Sequence, residues 1–555
     1  MVSQRYRWRR ALLGIPALLA SAACLLFGAL WLFDFFVLHG SNAGSRSLGP
    51  LTRLVAFDPD TLQNALGNLA QIIAAVLGIA ITVVSIVVQL ASTRYTPRVA
   101  DMFFRDRTNL AVMGFFVVAC IDAVWVSLSV SRDYVPVVTV VGTVAVVTLS
   151  LLALLPYFAY VFDFLDPEKV IARIGQHTLK AALGHRRSAA AVVEDAAELD
   201  TRQGQTVVSM EQLADVAVNA LAQKDKLIAS NALSALRRVI VEYLPEKSNL
   251  SPAWFVIGPG LRGNPDLVAL APASLLELDS ARTWLEWKGL RQMSGVFGEA
   301  LKSMPQMASV VAIETRYVGE AALAASDHAV VGLAVKFMNT YLRAALNARD
   351  VGTAYSVLNQ YRQLAEALLD SRDGGATAAL GEIASYFKYY AQLAHGLGLG
   401  FVTETAAYDL GTLCERAATL DAAVHDRLLT TFLEIDKEAE DQSQEKGLRG
   451  VRKAQAKLAA YYLLAGQERR ARQICADMRV EATDRLRSIR DEMLGITSKD
   501  FWEIIDRGAN FDYVADDRKV KLREFFDWFP QLGTFAGAGA AAVDGRGSRP
   551  AGGSP

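Results

Sequence analysis

Four stretches in the first third of the chain are apolar for about twenty residues or more. Residues 11–33, 62–91 and 135–162 contain no charged side chain, and 109–130 contains one, Asp122. A helix rises about 1.5 Å per residue and a bilayer's hydrocarbon is about 30 Å thick, so each stretch predicts a transmembrane helix. From Pro167 onward the pattern changes. Apolar residues recur at three and four, with Ala, Leu, Glu, Arg and Gln between them, which is the period of amphipathic helices rather than strands. Helices are predicted over 167–183, 210–222, 227–243, 281–302, 307–325, 329–347, 351–369, 376–393 and 403–418, with others following to 529.

The predicted fold class is therefore all-α: a four-helix transmembrane domain followed by a large, irregular helical-hairpin domain in the cytoplasm. Its parts are a basic N-terminus (1–10), the membrane domain (11–165), a first cytoplasmic helical region (166–250), a linker or subdomain boundary (251–272), a helical array (273–530) and a tail expected to be disordered (531–555). The boundary is suggested by Gly258-Pro-Gly260 and Gly263-Asn-Pro265, which interrupt helices. The tail, rich in Gly and Ala, has too little large apolar surface to pack. Short connectors such as Ser371-Arg-Asp-Gly-Gly375 imply antiparallel neighbours. Residues 456–475 read as one tetratricopeptide-like hairpin, but no second copy recurs at a period of about 34. The aromatic residues Trp254, Phe255, Trp284 and Trp287 are expected to pack in a core or against the membrane rather than to hold a ligand.

Arg5, Arg7, Arg9 and Arg10 precede the first apolar stretch. That stretch runs on past Cys24 to Trp31, longer than the apolar part of a cleavable signal, so it is read as an uncleaved anchor. The loop between the second and third helices carries Arg94, Arg98, Arg105 and Arg107, whereas the opposite side carries only Arg46, Arg53 and Arg132. By the bias of basic residues toward the cytoplasm, both termini lie inside, in a multi-pass protein of the bacterial inner membrane.

The second helix has two unlike faces. Steps of four and three residues from Asn64 select Asn68, Gln71, Ala75, Gly78, Thr82, Ser85 and Gln89, all polar or small, while Ile, Leu and Val fill the rest of the circumference. Such a seam suits close packing between membrane helices, or a water-filled path for an ion or solute. Asp122 is an intramembrane acid if the third helix is seated centrally, or an interfacial one if that helix is shifted. Asp34 is expected at the interface.

Thr96 and Pro97 suit the cap and first position of a short interfacial helix. Phe103 and Phe104 would enter the acyl boundary, and Arg94, Arg98, Arg105 and Arg107 would meet lipid phosphate. The residues Gln89-Leu90-Ala91-Ser92, Tyr95-Thr96-Pro97-Arg98 and Phe104-Arg105-Asp106, with the apolar run before them, resemble a family of predicted bacterial membrane proteins catalogued as domain of unknown function 2254. The resemblance covers about 62–174. It implies a membrane location and no established activity. Members tend to carry Asn-Asp-Pro in a cytoplasmic helical region, where this chain has Ala222-Gln-Lys-Asp-Lys226.

Composition agrees with this division. Of 555 residues, 52% are hydrophobic and 21% charged, and the net charge of -1 excludes a strongly basic nucleic-acid binder. The four cysteines, Cys24, Cys120, Cys414 and Cys475, form no CxxC or Cys/His cluster. None of His39, His177, His185, His328, His395 and His425 has a second ligand three or four residues away, and the acidic run Glu434 to Asp441 reads as a solvated face. No phosphate loop, dinucleotide fingerprint, HExxH or GxSxG is present. Neither a metal, a cofactor nor an enzymatic activity is expected. The expected partners are membrane lipid, further copies of the chain and a cytoplasmic protein. The leading expectation is an oligomeric channel gated by the array; the alternative is a membrane-anchored scaffold or sensor.

Overall fold

The computed structural model describes residues 19, 21–39, 58–94, 103–104, 106–132, 134–184, 196–371, 373–420, 422–436, 442–501, 507–508 and 510–532. Among them the chain is helical, with no strand. The basic N-terminus, Thr96, Pro97, Arg98, Arg105 and the tail from 533 lie outside the described residues, as does the Arg94 side chain. Two compact units divide the chain, Met1–Val239 and Ile240–Pro555.

The first unit begins with α1 (Ser21–Phe36), whose last turn widens into a π-helix over Asp34–His39. Then come α2 (Pro59–Arg94), α3 (Arg107–Ser129), α4 (Val137–Phe164), α5 (Pro167–Leu183) and α6 (Ala196–Ala222). Three of these, α2 to α4, are long and apolar enough to cross a membrane. At 36 residues α2 is about 54 Å long, so it projects beyond the hydrocarbon. Its apolar face packs on α3, with Ala70, Ile73, Phe116, Ala119, Ala123 and Val147 in one buried cluster. Glycines bring α1 in closely: a Cβ on Gly114 would come within 2.7 Å of Leu19, and one on Gly142 within 3.0 Å of Leu30. α7 (Lys226–Tyr243) runs across the division between the units.

The second unit opens with short helices α8 (Pro259–Arg262), α9 (Pro265–Val268) and α10 (Pro272–Ala281). Each starts on a proline, whose missing N–H would be unsatisfied there in any case. The segment 251–272, read as a linker or subdomain boundary, holds two of these short helices and the start of the third. Trp254, Phe255, Ile257, Leu261 and Leu267 are buried. The Trp254 indole N–H donates to the Tyr243 hydroxyl, and the Trp284 indole N–H to the Trp254 carbonyl, both at 3.0 Å.

The array follows as α11 (Trp284–Ser303), α12 (Pro305–Ala324), α13 (His328–Asn347), α14 (Val351–Ser371), α15 (Gly374–Gly396), α16 (Gly400–Ala417), α17 (Ala422–Leu433), α18 (Gln442–Leu464), α19 (Glu468–Met478), α20 (Thr483–Gly495) and α21 (Asp516–Asp527). Each helix packs on the next and on the next but one through α16. This yields two layers, α11, α13, α15 and α17 in one and α12, α14, α16 and α18 in the other. The hairpin is thus the repeating unit, but not at the tetratricopeptide period. Alternate helices begin at 284, 328, 374, 422 and 468, roughly 46 residues apart, nearer the length of the longer helical repeats.

The tight turns share one device. Ser326 and Arg349 adopt left-handed backbone conformations, with φ of 55° and 54°. The N–H groups of Asp327 and Asp350 reach back to the carbonyls of Ala322 and Ala345, closing the preceding helix. Their carboxylates then cap the next helix, Asp327 accepting from the Val330 N–H at 3.2 Å and Asp350 from the Thr353 N–H at 2.9 Å. Lys224 and Asp225 make the same turn between α6 and α7, where the sequence departs from Asn-Asp-Pro. The inner helices α16 and α18 come close because α18 carries Gly447 and Gly450: a Cβ there would stand 3.0 Å from Gly400 and 2.5 Å from Glu404.

Candidate functional site in the membrane helices

The polar seam of α2 faces outward from the bundle. Asn64, Asn68, Gln71, Ala75, Gly78, Thr82, Ser85 and Gln89 are all exposed, while Leu62, Leu66, Ala70, Ile73, Ala80, Val84 and Val88 on the opposite side are buried. Within one chain, then, the seam packs no neighbouring helix among the described residues. Thr82 satisfies itself by donating to the Gly78 carbonyl at 2.8 Å.

Asp122 lies on another face. It is fully buried where α3 meets α4, and its Oδ2 accepts from the Thr143 hydroxyl at 2.7 Å. Its Oδ1 has no partner. Asp122 is about 22 Å along the helix from Arg107 and is enclosed by protein. Asp34 is also buried within the fold. Its carboxylate accepts from the N–H groups of Val138 and Thr139, at 3.1 and 2.8 Å, and from the Thr139 hydroxyl at 2.5 Å. An acidic side chain from α1 thereby caps the N-terminus of α4, where the orphan N–H groups and the helix dipole favour negative charge.

These contacts fall on a line that sequence reasoning missed. Thr139, Thr143, Ser150 and Tyr157 share the buried face of α4. At the far end the Tyr157 hydroxyl donates to Asn109 Oδ1 at 2.7 Å, and the Asn109 amide donates to the Phe103 carbonyl at 3.3 Å. Their spacing of four, seven and seven residues is a seam period. The signal was present in an uncharged stretch where hydroxyls are easily passed over. A buried carboxyl with one open oxygen, set among hydroxyls, is the kind of group that holds a proton or cation within a membrane. The α2 seam and Asp122 are not brought together.

At the start of α3, Asp106 caps the helix by accepting from Thr108 and Asn109 N–H groups, at 2.8 and 3.2 Å, and from the Tyr160 hydroxyl at 2.5 Å. Phe103 is wholly buried, edge-on to Phe164, because the Asn109 amide and the end of α4 enclose it. This corrects the expectation that both phenylalanines enter lipid: only Phe104, half exposed, is open to it. No group of three or more potential metal ligands occurs among the described residues.

Comparison with known proteins adds one relation. No curated protein matches. A solved structure titled "Circular tandem repeat protein with novel repeat topology and enhanced subunit contact surfaces" aligns over 84% of this chain and 96% of its own at 15% identity, but with a TM-score of 0.25, too low to carry an argument. Residues 9–209 match the model of a family described as "Predicted membrane protein (DUF2254)". The span includes α1 to α5, both buried carboxylates and the α2 seam, and ends within α6. The chain is a membrane protein, similar over residues 9–209 to the predicted membrane proteins of that family.

Proposed function

We propose that the chain is a non-enzymatic protein of the bacterial inner membrane that self-associates through its membrane helices and passes an ion or small solute along the α2 seam, with the cytoplasmic array as the gate. The observation that carries this reading is the outward exposure of all eight seam residues. The amides of Asn64, Asn68, Gln71 and Gln89 make no hydrogen bond to any described residue. An amide left unpaired in hydrocarbon costs several kcal/mol. Further copies of α2, or water enclosed by a ring of them, would relieve that cost. The placement of Arg5, Arg7, Arg9 and Arg10 with Arg94, Arg98, Arg105 and Arg107 on one side supports cytoplasmic termini.

The test is the mass of the purified protein in detergent and in nanodiscs, together with flux through reconstituted vesicles. A ring with conductance, and ready labelling of cysteine at Gly78 or Thr82 by an aqueous thiol reagent in a Cys24→Ser, Cys120→Ser background, supports the path. A monomer without flux, labelled at neither position, overturns it. The scaffold reading is favoured by one feature, the exposed aromatic residues Tyr317, Tyr389 and Phe401 along the layered array. A specific partner captured by the full chain, and lost when these three are replaced by Ser, would support that alternative.

A further inference from the structure

The layer formed by α14, α16 and α18 lines a cavity of about 230 Å³, closed on one side by Arg507, Asn510 and Phe511. Its lining includes three cations, Arg362, Lys457 and Arg507, and two carboxylates, Asp409 and Glu415. Both arginines converge on Asp409: Arg507 clasps it with two nitrogens, and Arg362 Nε stands 3.2 Å away. Glu415 is held by Arg518, with contacts at 3.1 and 3.0 Å. Asp512 nearby is taken by Lys453 at 2.8 Å and by the Tyr408 hydroxyl at 2.5 Å.

Lys457 has no carboxylate in ion-pair contact. Its Nζ donates to the Phe511 carbonyl at 2.6 Å and lies 5.5 Å from the centre of the Tyr408 ring, and it forms no ion pair. Tyr408 and Phe511 stack with centroids 4.8 Å apart and planes at 8°, giving the cavity a flat aromatic wall. Thr412 and Asn510 add polar groups. Burial pulls the Lys457 pKa below its usual value and outweighs the attraction of Glu415 and Asp512, neither of which touches the ammonium. A bound anion would supply the direct contact that Lys457 Nζ does not make with either carboxylate.

We propose that this cavity binds a small oxyanion, a carboxylate or phosphate group of a small molecule, with Lys457 Nζ as its principal partner. The volume admits a metabolite-sized ligand and excludes a folded partner. The inference does not depend on the α2 seam conducting.

The experiment uses the full chain in detergent, at constant ionic strength and pH 7, titrated calorimetrically with inorganic phosphate, acetate and citrate as probes. Saturable binding of at least one probe is expected, weakened tenfold or more in Lys457→Met, retained in large part in Lys457→Arg, and unchanged in Lys446→Met, an exposed lysine on the same helix. Because Lys457→Met could misfold, the wild-type protein is also acylated with acetic anhydride and read by mass spectrometry. A bound probe should slow modification of Lys457 at least threefold relative to Lys446. No saturable binding by any probe, binding equal in Lys457→Met, or unaltered acylation of Lys457 overturns the proposal.

Discussion

Helix α13 and the membrane helices α2 to α4 satisfy the same criterion of length and apolar content, yet they occupy opposite environments. In the most apolar windows of α2, α3 and α4 only 22%, 33% and 28% of residues are buried within the fold; in α13 the share is 56%. Long apolar side chains stay exposed on the former, Ile79, Leu128 and Leu155 among them. On α13, Val330, Val331, Met338, Tyr341 and Leu342 are enclosed by its neighbours, while Lys336 and Arg343 remain accessible to ion-pair with Glu277 and to hydrogen-bond Tyr389. Length and apolarity alone therefore do not separate a span from a core helix. What separates them is whether the apolar surface is used up by other helices or left for lipid.

The comparison breaks most sharply under charge. Met338→Asp places a carboxylate where nothing pairs it, and about 4 kcal/mol or more of array stability should be lost. Hydrogen exchange over 328–347 reads this. Ile79→Asp, on the lipid-facing side of α2, should leave that exchange unaltered and instead weaken insertion by about 3 kcal/mol, measured by a glycosylation-tag insertion assay.

Next in size is a pH effect confined to the array. Glu404 sits under Gly450, with Asp512, Glu492, Lys453 and Arg449 as its charged neighbours, and burial chiefly raises its pKa from 4.5 to about 7. Between those values the unfolded chain has released this proton and the folded chain has not. Stability therefore falls as pH rises from 4.5 to about 7 and levels off above it, by about 2–3 kcal/mol. Chemical denaturation of Glu404→Gln across that range should lack this component; an identical slope in variant and wild type would remove Glu404 as its source.

Smaller again, Gln71→Leu together with Asn68→Leu should weaken self-association about tenfold, or roughly 1.4 kcal/mol, if these amides meet another copy. Dilution followed by fluorescence transfer between labelled chains checks it. The least effect is expected from Asp350→Ala, which removes the cap of α14 and costs about 1 kcal/mol, seen as faster exchange over 351–354.

Much of this architecture was readable in residue order. The predicted spans at 62–91, 109–130 and 135–162 differ from the helices by one to three residues at each end, since apolar runs are visible without partners. The helix predicted over 167–183 coincides with α5. Other features were hidden because they join distant residues. Asp34 meets Thr139 across more than a hundred positions, and Phe103 is buried by a helix that ends at Phe164. The cavity at Lys457 draws its walls from α14, α16 and α18 and from Arg507, Asn510 and Phe511. The hairpin period was obscured by helices of unequal length, although the turn preceding Asp225, Asp327 and Asp350 repeats its chemistry.

Sequence by itself determined that the protein is helical throughout its described length, where its lipid-soluble segments lie and that α2 has two unlike faces, because periodicity and apolar length are local properties. Tertiary structure alone decided which face is spent inside the chain, that Asp34 and Asp122 are buried, and that Lys457 faces its cavity without an ion-pair contact. Burial and charge pairing depend on which surfaces meet, and that is settled only when distant helices pack.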